Sequence, residues 1–212
     1  MDVIQNTRKV IDSNPDDSQL DKYLSDVKES LSSSNKQFIS FQLLFLFMLV
    51  IYYLVIHAGW QNISVGNIQV SDNTLFDKTF LVVPSGLLLM LAAIGYLRKL
   101  QREVYDYLCI SRLRILGETG MHELRLPSNF ILGLDLLRHH GGVVGKYISN
   151  LSALLLSFIF LIGPAFYMLV EAYNNLKQYG GTDPISILVL IIVILSFISS
   201  FAIIKISGLV NA

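Results

Sequence analysis

Four long apolar runs dominate this chain, and none of them contains an Asp, Glu, Lys or Arg; they cover residues 38–56, 79–97, 148–170 and 185–204. A helix needs about 20 apolar residues to cross the roughly 30 Å hydrocarbon core of a bilayer. Backbone groups in lipid must pair within a helix or a closed barrel, and continuous runs favour helices. The sequence therefore predicts an all-α integral membrane protein built as a four-transmembrane-helix bundle.

The overall composition agrees with this class and excludes others. Hydrophobic residues make up 53% of the chain and charged residues only 15%, below the roughly 25% of a soluble protein. The formal net charge is zero, so we expect no direct nucleic-acid binding. The single cysteine, Cys109, excludes an intrachain disulfide.

The basic residues predict the orientation of the spans. Fourteen of the 16 lie in residues 1–36, in residues 98–147 or at Lys205, which leaves only Lys78 and Lys177 for the opposite side. Lys and Arg concentrate on the cytoplasmic side of a membrane. Both termini are therefore predicted to be cytoplasmic, most naturally in a bacterial inner membrane, with short exported loops at 57–78 and 172–183.

The spans divide the chain into four segments. Residues 1–36 form a cytoplasmic N-terminal segment, 37–97 a first transmembrane hairpin, 98–147 a helical cytoplasmic middle loop, and 148–212 a second hairpin. Because the first apolar run begins only at Phe38, after a charged segment, we expect an uncleaved first span and no signal peptide.

The N-terminal segment has the pattern of an amphipathic helix. Its apolar residues recur at the spacing of one helical face: Leu20, Tyr23, Leu24, Val27 and Leu31. This face is expected either to pack on the protein's own middle loop or to contact a cytosolic partner. The serines at 32–34 are expected to interrupt the helix before the first span.

The middle loop contains a second apolar feature. The second span is expected to continue as a helix to Leu116. Pro127 and Ser128 then begin a short helix over 129–138, with an apolar surface that includes Phe130, Ile131 and Leu134. We expect this helix at the lipid interface or in a subunit contact, because exposure to water would leave a large apolar patch.

A few polar and helix-bending residues lie within the spans. The polar candidates for a helix–helix seam or a pore lining are Ser196, Ser199, Ser200, Gln42 and Asn150. Small and hydroxyl-bearing residues let helices approach closely and bond to one another. Gly163 and Pro164 form a candidate hinge in the third span, since proline removes a helical hydrogen bond.

No pattern of catalytic or ligand-binding residues is present. His122, His139, His140 and Cys109 match no zinc-site spacing, and neither a nucleophile elbow nor a phosphate-binding glycine loop occurs. We therefore expect no catalytic residue, no cofactor and no metal. The absence of ionisable residues inside the spans argues against active transport.

Three hypotheses for function remain. The first is a non-enzymatic, homo-oligomeric membrane subunit, acting as sensor, anchor or membrane-perturbing effector, that binds a cytosolic partner. Small membrane components of bacterial antiphage systems have a similar general build, and antiphage defence is inferred from that analogy alone. The second is a homo-oligomeric channel lined by the fourth span. The third is a membrane-bound enzyme acting on a lipid-like substrate through the histidines of the middle loop.

Overall fold

A computed structural model of the chain describes residues 9, 11–13, 17–57, 64–65, 68–69, 73–112 and 142–209. These residues are helical except for turns and one pair of two-residue strands. Within them, four helical stretches are long and apolar enough to cross a membrane, and these are Ser18–Ile56, Thr74–Cys109, Gly142–Gln178 and Pro184–Lys205. The prediction of an α-helical chain with four potential membrane spans is confirmed.

The first half of the chain contains two long helices. Helix α1 covers Asp17–His57. Strands β1 (Ser64–Val65) and β2 (Ile68–Gln69) pair antiparallel, with Val65 opposite Ile68. A short helix α2 covers Asn73–Thr79, and after a turn helix α3 covers Val82–Arg112. The predicted start of the second span, residue 79, thus coincides with the last residue of α2, three residues before α3 begins.

The second half contains an interrupted helix and a continuous one. Helix α4 (Gly142–Ser157) leads into a π-helical turn at Phe158–Ile162 and then into helix α5, Gly163–Gln178. Gly180 and Gly181 end α5 with φ of 94° and 72°, values that favour glycine. Helix α6 covers Pro184–Leu209. Most of the predicted exported loop at 172–183 is therefore helical.

The predicted interruption at the serines of residues 32–34 is wrong, because α1 runs through them without a break. Ser34 is buried, and hydrogen bonds from α3 hold α1 on both sides of it. Gln101 donates to Ser30 at 2.7 Å and Arg98 donates to Asn35 at 2.6 Å. Tertiary contacts of this kind commonly override weak local helix propensity.

The chain forms two compact units, each made of separate stretches of sequence. One unit comprises Met1–Phe38, Ile94–Ser157 and Ser207–Ala212, and the other comprises Ile39–Ala93 and Phe158–Ile206. The first contains the N-terminal part of α1 and the C-terminal part of α3. The second contains most of the span residues together with α2 and α5. The predicted segment boundary at 36/37 falls inside α1.

Candidate functional site

Two helical stretches in the first unit pack side by side. We call residues 17–38 of α1 and 94–112 of α3 the helix pair. One buried cluster joins Leu31 to Tyr105 and Cys109, and a second joins Leu20 to Leu108 and Ile11. Leu24 and Val27 pack against both clusters. Three of the predicted partner contacts, Leu20, Leu24 and Val27, thus face the protein's own helix, and the fourth, Tyr23, is 41% exposed.

An open groove lies along the surface of the helix pair. It has a volume of about 370 Å³ and is lined by Tyr23, Asp26, Val27, Ser30, Leu100, Gln101 and Val104. Its aliphatic residues come from both helices. Asp26 is the one charged residue of the lining, and it makes no ion pair or hydrogen bond with the described part of the chain. The groove therefore combines apolar lining residues with a carboxylate that the described residues leave unpaired.

The other end of the helix pair is held by an arginine. The Arg98 guanidinium donates to Asn35 and lies over the ring of Phe38, 4.4 Å from its centroid. A Cβ added at Gly95 would be 3.6 Å from the Phe38 ring, which is ordinary contact distance. The cation–π contact and the hydrogen bond together align the two helices where the first predicted span begins and the second ends.

The second unit contains a buried group of polar side chains, which we call the Asp77 cluster: Tyr52, Asp77, Asn175 and Tyr179. The Tyr52 hydroxyl donates to Asp77 Oδ1 at 2.9 Å, and the Tyr179 hydroxyl donates to Asp77 Oδ2 at 2.8 Å. The Asn175 amide donates to the Tyr52 hydroxyl at 3.0 Å and to the main-chain carbonyl of Asp77 at 2.8 Å. The cluster thereby joins α1, α2 and α5.

A second set of contacts joins this region to the start of α6. Asp183 accepts hydrogen bonds from the main-chain N–H and the hydroxyl of Ser186, both through Oδ2. Its other oxygen pairs with Lys78 at 3.0 Å, and the Lys78 ammonium lies 4.4 Å from the centroid of the Tyr179 ring. Asp183 is therefore the N-cap of α6, which begins at Pro184.

The charge of Asp183 is stabilised by these contacts. The hydrogen bond from the main-chain N–H of Ser186 and the ammonium of Lys78 hold the pKa of Asp183 at about 2, below its usual value of 3.8. Both contacts favour the carboxylate over the neutral acid. The carboxylate therefore remains charged throughout the physiological pH range.

The Asp77 cluster was not predicted from the sequence. Asp77 and Glu171, which are 4% and 7% exposed, lie just outside the predicted spans 79–97 and 148–170 but within the longer helical stretches Thr74–Cys109 and Gly142–Gln178. A signal was present, because Glu171 and Asn175 on α5 and Tyr179 directly after it recur every four residues.

The polar residues predicted for a seam or a pore lie in different surroundings. On α6, Ser196 is half-buried, Ser199 is exposed and Ser200 is 5% exposed. The Ser200 hydroxyl has no hydrogen-bond partner among the described residues. Gln42 is half-buried in the second unit, and Asn150 is exposed in the first. No side-chain hydrogen bond joins any two of the five candidates within the described part of the chain.

The predicted hinge coincides with the irregular part of the third span. Pro164 has no N–H for Phe160, four residues before it, and the chain forms a π-helical turn at Phe158–Ile162. A Cβ at Gly163 would lie 2.9 Å from the carbonyl oxygen of Phe158. Glycine is therefore required sterically at this position.

Several predicted residues lie outside the described part of the chain. These are the helix over 129–138 with Phe130, Ile131 and Leu134, and also His122, His139 and His140. Within the described ranges, no three His, Cys, Asp or Glu side chains come together as a metal site would require. No protein-family model, no curated protein and no solved structure matches the chain.

Proposed function

We propose that this chain is a non-enzymatic membrane subunit that binds a cytosolic protein on its helix pair. The observation that carries the proposal is the length of α1. Its 41 residues correspond to about 60 Å, about twice the thickness of the hydrocarbon core. The predicted first span uses only the C-terminal half, which leaves about 30 Å of helix for contacts outside the lipid.

The packing of the helix pair supports a docking role. Leu108 and Cys109 are fully buried and Leu31 is 3% exposed, so the pair has a core of its own. A surface held by such a core is preorganised, which lowers the entropy cost of binding. The groove between Tyr23 and Val104 is an opening in this surface that remains uncovered by the described residues.

The proposal extends to the location and assembly of the protein. We place it in a bacterial inner membrane with both termini in the cytoplasm, because 14 of the 16 basic residues fall on that side of the predicted spans. We propose a homo-oligomer that acts as a sensor, anchor or membrane-perturbing effector. Antiphage defence is the process suggested by the general build of the chain.

The docking proposal is tested by mass measurement after purification in a gentle detergent. We expect a complex of several copies with a cytosolic protein, and we expect the partner to be lost when residues 1–31 are deleted. The deletion variant must still insert in the membrane, which is checked by its resistance to carbonate extraction. A homo-oligomer without any partner in the intact chain would contradict the docking proposal.

A channel is the second candidate, and the unpartnered hydroxyl of Ser200 favours it. A buried hydroxyl without a partner is costly in an apolar environment and is satisfied when water lines the helix. Replacement of Ser196, Ser199 and Ser200 by leucine should then abolish ion flux into liposomes. The matched control replaces the exposed residues Ile194 and Ile198 of the same helix by leucine. Equal flux in the serine variant and the wild type would exclude this conduction path.

A further inference from the structure

We propose that the groove of the helix pair binds an Arg or Lys side chain of the cytosolic partner, an inference that rests on the proposed docking function. The groove is lined by the aliphatic residues Val27, Leu100 and Val104, by the aromatic Tyr23 and by the acidic Asp26. A long basic side chain matches this combination, because its methylene stem packs on apolar groups while its cationic head remains polar.

One acceptor dominates the polar part of the groove lining. The Gln101 amide nitrogen is already engaged as a donor to Ser30 at 2.7 Å, and the Gln101 carbonyl oxygen is buried from solvent. Asp26 offers a carboxylate, and no Lys or Arg is part of the lining. A ligand with several N–H donors and a positive charge complements this set, and the face of the Tyr23 ring adds a cation–π surface.

The basic residues of the neighbouring α3 surface are already engaged. Lys99 pairs with Glu103 at 3.8 Å, and Arg102 pairs with Asp106 at 3.9 Å. On α1, Lys22 lies one turn before Asp26 but forms no ion pair with it. The charge of Asp26 is thus left uncompensated by the described residues, and we assign the compensating cation to the partner.

The position of Asp26 along α1 favours a protein over a lipid as the source of this cation. Asp26 precedes the first predicted span residue, Phe38, by 12 residues, or about 18 Å of helix. The headgroup layer on each side of a bilayer is only about 5–8 Å thick. Lipid ammonium groups therefore lie short of Asp26, whereas a cytosolic protein reaches it freely.

The test introduces a photo-cross-linking amino acid in place of Tyr23 in the full-length chain, in cells, and sequences the captured peptide. We expect an Arg or Lys within a few residues of the cross-link. We also expect Asp26→Lys to reduce the cross-linked product about tenfold or more, since like charges repel at a contact. The matched control is Asp21→Lys on the same helix, outside the groove, and its yield should remain within about twofold of the wild type.

The outcomes separate this inference from the docking proposal. A captured segment without a basic residue, or equal losses for Asp26→Lys and Asp21→Lys, would overturn the basic-side-chain inference and leave docking intact. A second cross-linking amino acid is placed at Lys28, outside the groove. Capture of a partner at Lys28 but not at Tyr23 would also overturn the basic-side-chain inference and leave docking intact. Failure to capture a partner from either probe would overturn both the docking proposal and the inference.

Discussion

Asp77 accepts three of the side-chain hydrogen bonds within the second unit. Its two carboxylate oxygens each accept one phenol hydroxyl, and its main-chain carbonyl accepts the Asn175 amide. A carboxylate that is only 4% exposed is stable in an apolar environment only when it is hydrogen-bonded in this way. We therefore expect substitutions in the Asp77 cluster to destabilise the folded protein more than substitutions at the exposed tyrosines.

Removal of the Tyr52 hydroxyl tests this expectation. Tyr52→Phe leaves Asp77 Oδ1 without its donor and one Asn175 N–H without its acceptor. We therefore expect the free energy of unfolding to fall by about 1–2 kcal/mol. The matched control is Tyr173→Phe on α5, whose ring is 59% exposed and which should change stability by less than about 0.5 kcal/mol. Thermal unfolding in detergent, followed by circular dichroism, measures both. Equal Tm values for the two variants would contradict the role of the cluster.

Asp183 predicts a pH dependence with a defined sign. Its pKa is about 2 in the folded protein, below the ordinary value of 3.8, so its stabilising contribution is complete above about pH 4 and is lost towards pH 2. Asp183→Asn keeps a capping oxygen but removes the charge. The difference in Tm between wild type and this variant should be constant from pH 7 to about pH 5 and should shrink towards pH 2. A constant difference down to pH 2 would refute the assignment.

At the scale of elements, the third helical stretch differs from the other three. The π-helical turn at Phe158–Ile162 provides the space that Pro164 needs, and none of its residues is buried. Gly163 directly follows this turn, and its lack of a side chain allows the main-chain carbonyl of Phe158 to approach closely. The proposed hinge is thus a wide turn, a glycine and a proline together.

A pair of glycine substitutions tests this interpretation. Gly163→Ala places a methyl group 2.9 Å from a main-chain oxygen and should destabilise the protein by about 1–3 kcal/mol. Gly86→Ala, within α3, meets nothing within 4 Å and should stabilise it by up to about 1 kcal/mol through helix propensity. The two changes are identical in chemistry and opposite in expected sign. A rise in Tm for both would mean that the turn relaxes at little cost.

At the scale of the whole molecule, the proposed docking of a cytosolic partner depends on the orientation of the spans in the membrane. The native Cys109 is fully buried, so it should not react with a membrane-impermeant maleimide. Single cysteines introduced at Lys177 and at Lys22 should then label differently: Lys177→Cys in intact cells, and Lys22→Cys only after the membrane is opened. Labelling of Lys22→Cys in intact cells would reverse the orientation and remove the basis for a cytosolic partner.

The amino-acid sequence was sufficient to predict the helices that can cross a membrane. Hydropathy depends on neighbouring residues, so it is readable along the chain. The same reasoning failed at the serines before Phe38, where it placed a break and α1 is continuous. For Leu24 and Val27 it left two alternatives open, and the structure shows that they pack on the protein's own helix.

The sequence by itself determined which parts of this protein favour lipid, because transfer free energies add along a run of residues, and it predicts a cytoplasmic side from the positions of the basic residues. Only the tertiary structure decided that Tyr52 meets Asn175, 123 positions later, at Asp77. It also decided that α3 covers Leu20 and leaves a groove at Asp26. Hydrogen bonds and packing act over about 3–4 Å, and distances of that kind are set by the fold and not by the order of residues.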